Sequence, residues 1–188
     1  MATNRARTAR LVPIALLAAP LACIAVACDG GSPGAGRAMA TEAGGQMKLP
    51  DGLVVAGEPS GTPVAECKAA AKQGETVTIL GRIGGSRVPF TNDVATFTIV
   101  DPALKSCADG AEPDHCRYPW DYCCEDRAAL KRSMATIELV NAAGEPLPFP
   151  VRGASGLVPL ATVAVTGTVV EKNDAGVMVV RASRIVVK

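Results

Sequence analysis

The chain has 188 residues with 19 Lys and Arg against 18 Asp and Glu, and 48% of it is hydrophobic but only 3% aromatic. Three of the basic residues (Arg5, Arg7, Arg10) precede the first acid, so residues 28–188 carry 16 basic against 18 acidic groups, a charge of 16 − 18 = −2. That balance excludes the basic footprint on which nucleic-acid binding normally rests, and leaves enough chain for one domain of ordinary size.

Residues 1–27 are expected to be an export signal. Arg5, Arg7 and Arg10 give a positive start, and Leu11 to Ala27 is an apolar run of 17 residues that ends in small side chains. Pro13 and Pro20 interrupt it, and it is short for a membrane-spanning helix. Ala25-Val26-Ala27-Cys28 is similar to the bacterial lipobox, which implies that Cys28 becomes a lipidated N-terminus; Ala25 departs from the usual Leu. The expected location is a membrane of the bacterial cell envelope, reached through that lipid. Residues 28–61 are expected to be a flexible tether, because positions 29–63 hold nine Gly and four Pro and can bury little apolar surface.

The folded domain is expected over 62–188. Thr62-Pro63 opens a short helix that stops before Gly74, with Val64, Cys67 and Ala71 on its inner face. The period then changes to two. Val77, Ile79, Gly81 and Ile83 mark a first strand, with Gly84-Gly85 as a bulge or bend; Ala95 to Asp101 is a second and Ala135, Ile137 and Leu139 a third. Val163, Val165, Gly167 and Val169 mark a fourth strand, and Asn173 to Gly176 turns the chain into a fifth, Val177 to Val187, whose alternation slips near Ser183-Arg184. Five strands, the first long and bent, with a hairpin joining the last two, resemble a small OB-like antiparallel barrel. The resemblance implies no ligand. A neutral domain with few aromatics on its strands lacks the basic, stacking groove by which such barrels hold single strands, so no nucleic-acid partner is expected.

The connection between the second and third strands, residues 102–133, is far longer than an ordinary loop. It holds Cys107, Cys116, Cys123 and Cys124, the only His (His115), the only Trp (Trp120) and both tyrosines (Tyr118 and Tyr122). Exported cysteines tend to pair, and adjacent cysteines rarely bond to one another, so Cys123 and Cys124 are expected to bridge to Cys107 and Cys116 in either crosswise order. The alternative is a zinc or copper site made by the same four thiolates, with His115 as an additional ligand, although the spacing lacks a C-x2-C hook. A reactive thiol, with His115 and Arg117 near Cys116, is the third chemistry. No hydrolase motif is present, and a non-catalytic module is expected, without a cofactor unless the metal alternative holds. Tyr118, Trp120 and Tyr122 on a stapled loop are the expected interaction surface for a protein or small-molecule partner.

Gly81-Arg82-Ile83-Gly84-Gly85, Phe97-Thr98-Ile99-Val100-Asp101-Pro102 and Pro119-Trp120-Asp121-Tyr122-Cys123-Cys124-Glu125 together resemble a group of uncharacterised exported bacterial lipoproteins. The resemblance spans most of the domain, is most specific at Pro-Trp-Asp-Tyr-Cys-Cys, and implies no activity.

Overall fold

A computed structural model describes residues 48–110 and 116–188. The expected export signal and Cys28 lie outside the described residues. Seven strands form one sheet: β1 (Val54–Ala56), β2 (Thr62–Pro63), β3 (Thr76–Ile83), β4 (Thr96–Val100), β5 (Met134–Leu139), β6 (Thr162–Lys172) and β7 (Met178–Val187). Helix α1 (Val64–Ala70) precedes β3, and α2 (Arg127–Arg132) precedes β5.

Five of the strands close on themselves. β3 pairs with β4, β4 with β5, β5 with β7, β7 with β6, and β6 again with β3, which makes the expected OB-like barrel. All these pairs are antiparallel except β5 with β7, so the barrel is not purely antiparallel as the hairpin pattern suggested. A parallel closure joins strands distant in sequence, and nothing in their alternation distinguishes it from an antiparallel one. The inward positions are filled by branched aliphatics: Ile79, Ile83, Ile99, Ile137, Val165 and Ile185 are all fully buried. The slip near Ser183-Arg184 is a bulge, because Thr166 pairs with Arg184 while Gly167 pairs with Ala182. The fourth barrel strand follows a single 3-10 turn at Ala154–Gly156.

Two short strands sit where the sequence suggested a tether or a helix cap. Val54 pairs in parallel with Ile185, and Leu53 is buried in the core, so order begins well before position 62. Thr62 and Pro63 pair with Ile79 and Leu80 of β3. Thr62 therefore does not cap α1. The helix N-terminus is met instead by the buried Asp101, whose Oδ2 accepts from Ala65 N at 2.8 Å and whose Oδ1 accepts from Ala103 N at 2.9 Å. Val64, Cys67 and Ala71 face the core as expected, and burial raises the Cys67 thiol above its usual range.

Lys68, on α1, locks this end of the barrel. Its buried Nζ donates to the carbonyls of Lys131 (2.8 Å), Met134 (2.6 Å) and Gly176 (2.7 Å), so one ammonium joins α1, the start of β5 and the β6–β7 hairpin. Replacing Lys68 with Met leaves three carbonyls without their donor. Unfolding of Lys68→Met in urea should show a loss of about 3 kcal/mol, and an unchanged midpoint would show that the carbonyls find other partners.

Candidate metal centre

The insert emerges after β4 and is built on the rim of the barrel. Cys107 lies in a single 3-10 turn, Cys107–Asp109, closed by a capping box between Ser106 and Asp109. Asp109 accepts from Ser106 Oγ at 2.7 Å and from Arg82 of β3 at 2.5 Å. The Ser106 hydroxyl and then the Arg82 guanidinium hold its carboxyl down to about 2. The turn is thereby tied to the barrel wall, and Cys107 N donates to Pro119 O at 3.0 Å, drawing in the aromatic segment.

Gly84 and Gly85 provide the seat for that segment. Rather than continuing β3 beyond a bulge, they follow its last residue, and Gly85 N donates to Trp120 O at 2.9 Å. A Cβ on Gly84 would lie 2.8 Å from Trp120 O and 2.9 Å from the Tyr122 ring, so only glycine lets the insert approach. Tyr122 has φ 55, a left-handed backbone. The reversal drives its side chain inward while Cys123 and Cys124 turn out to solvent.

Four cysteines meet at this reversal. Cys123 Sγ lies 3.4 Å from Cys107 Sγ, 3.3 Å from Cys116 Sγ and 4.0 Å from Cys124 Sγ. Cys107, Cys123 and Cys124 place their sulfurs within 4.8 Å of one another. Burial alone would raise the Cys107 thiol, but hydrogen bonding with Cys123, Cys116 and Cys124 outweighs it and lowers the pKa. A shared proton network of this kind favours the thiolate, the form that binds metals. The expected disulfide pairs are not at bonding distance: the Cys107–Cys123 and Cys116–Cys123 separations exceed the roughly 2.05 Å of a bonded pair. A tetrahedral ion with metal–sulfur bonds of about 2.3 Å instead requires sulfurs about 3.8 Å apart. The three spacings to Cys123 bracket that value; Cys107, Cys123 and Cys124 are the mutually close set, and Cys116 adjoins it through Cys123.

His115 lies outside the described residues. Tyr118 and Trp120 are half-buried and pack edge to face at 5.9 Å between ring centres, with Arg117 over Tyr118 and Arg152 over Trp120, each at 5.6 Å. Trp120 Nε1 donates to Arg87 O at 3.1 Å. Tyr122 is not part of this surface. It is 1% exposed, and its hydroxyl has no partner among the described residues.

Sequence reasoning placed Arg117 beside Cys116 but missed Arg87. Arg87 and Arg117, with Asp121, line a groove of about 400 Å³ that also contains Cys116 and Cys123. Arg87 Nε lies 3.4 Å from Asp121 Oδ2. The Gly-Gly pair was the available signal, but only the fold reveals that it receives the insert.

No protein-family model matches the chain, and no curated protein matches it.

Because the Tyr122 hydroxyl is buried without a partner, Tyr122→Phe should leave thermal stability unchanged or raise it by up to about 1 kcal/mol. Tyr122→Ala should cost about 3 to 5 kcal/mol, as for truncation of a buried aromatic ring. Destabilisation by Tyr122→Phe would reveal a hydrogen bond to the hydroxyl.

Proposed function

We propose that this protein is an exported, lipid-anchored OB-like module that binds one thiophilic metal ion, zinc, through Cys107, Cys116, Cys123 and Cys124. The observation that carries the proposal is the approach of the Cys107, Cys116 and Cys124 sulfurs to Cys123 at 3.3 to 4.0 Å, with Cys107, Cys123 and Cys124 within 4.8 Å of one another and none of these spacings that of a disulfide. Cys107 comes from the buried side and Cys123 and Cys124 from the exposed side, so an ion would tie the insert to the barrel at its weakest point. Four thiolates around a divalent ion carry a net charge of −2. Arg87 and Arg117 in the adjoining groove offset it.

Zinc suits this site better than copper because four donors complete its preferred tetrahedron, whereas a cuprous ion is content with fewer thiolates. The module is not catalytic: a closed four-thiolate shell leaves no open position for substrate. It holds Tyr118, Trp120, Arg117 and Arg152 in a fixed arrangement at the barrel rim, where a partner would dock. Anchoring follows from Cys28 and the lipobox-like residues before it.

Elemental analysis and thiol counting on the same sample of the purified full chain test the proposal. One equivalent of zinc is expected, with four thiols gained by alkylation in denaturant once a chelator has removed the metal. Cys123→Ser should lose the zinc. Metal-free protein whose four insert cysteines resist alkylation without reductant would be stapled by disulfides, and the proposal would fail.

A further inference from the structure

A second site lies between α1, the start of β5 and the β6–β7 hairpin, and contains none of the insert's cysteines. It is a cleft of about 350 Å³ with apolar walls from Ala65, Ala69 and Val177, and three cations, Lys68, Lys172 and Arg132, lie along it. No Asp or Glu lines it; Glu171 and Asp174 belong to the same hairpin but are not among its walls. Small-molecule sites have this make-up, a mostly apolar cleft with a few convergent polar groups.

The cations are not neutralised by acids. Lys68 spends its three donors on backbone carbonyls, and Lys172 Nζ caps the end of α1 through the carbonyls of Ala71 (2.5 Å) and Ala69 (3.5 Å). Burial, then the charges of Lys131 and Lys172, lower the Lys68 pKa to about 8. Arg132 forms no hydrogen bond or ion pair among the described residues, so its planar fork of donors is free to take a ligand. Ser133 lines the same cleft, and its hydroxyl has no protein partner among the described residues, so it is open to a ligand that enters there.

We infer that this cleft binds a small carboxylate carried on a short aliphatic chain, with Arg132 and Ser133 holding the carboxylate and Ala65, Ala69 and Val177 covering the chain. Lys68 and Lys172 contribute charge, since their hydrogens are largely committed to the backbone. A phosphate would satisfy the cations but would leave the apolar walls without a partner.

Calorimetric titration of the full chain with butyrate and, separately, with inorganic phosphate tests the inference. Saturable butyrate binding is expected, at least tenfold tighter than phosphate. It should be weakened at least tenfold in Arg132→Glu and in Ser133→Ala, the first of which changes an exposed side chain and leaves the carbonyl contacts of Lys68 intact. The absence of saturable butyrate binding, phosphate bound as tightly as butyrate, or binding unaffected by Arg132→Glu would each overturn it.

Discussion

A loop of some 30 residues without a core of its own keeps a single shape only if something other than burial closes it. In this protein the closing element is the convergence of four sulfurs around Cys123. The rest of the insert is arranged to permit that convergence. The capped turn at Ser106 to Asp109 presents Cys107, the Arg82–Asp109 pair fixes the turn to β3, and the Gly84-Gly85 seat admits Trp120 and Tyr122. The left-handed residue at Tyr122 then separates an inward aromatic ring from two outward cysteines. Each contact is modest by itself. Together they bring cysteines from three stretches of chain against one another.

In the proposed exported setting, metal and disulfide would compete for the same sulfurs. Oxidising surroundings favour sulfur–sulfur bonds, and the expected staple followed from that compartment together with the rarity of bonds between adjacent cysteines. The geometry weighs on the other side, because Cys123 is nearly equidistant from Cys107 and Cys116 and neither separation is that of a bonded pair. The proposed metal would satisfy all four donors at once and, while bound, would shield the thiolates from oxidation. Adjacent cysteines, which rarely bond to each other, are no obstacle to chelation when the backbone reverses just before them. Folding and metal capture would then be linked, since the unfolded chain offers no preformed site.

Much of the barrel was legible in the sequence. Period-two alternation located all five barrel strands, and the break at Ser183-Arg184 marked a true bulge. What could not be read was long-range. The parallel β5–β7 closure depends on strands some 40 residues apart, and β1 hides in a Gly- and Pro-rich stretch where only Leu53-Val54-Val55 signals burial. At the site, the four cysteines were identifiable by their crowding, but their state was not, because sequence spacing carries no sulfur–sulfur distances. Tyr122 was misplaced for a local reason: its inward turn follows from a positive φ that no non-glycine side chain advertises.

The most direct test of this account is X-ray absorption at the zinc edge on the metal-loaded full chain. It predicts a first shell of four sulfurs at about 2.3 Å, with no nitrogen or oxygen neighbours. A shell dominated by nitrogen and oxygen would place the ion on His115 or on carboxylates instead, and would contradict the claim that the four cysteines around Cys123 hold the insert together.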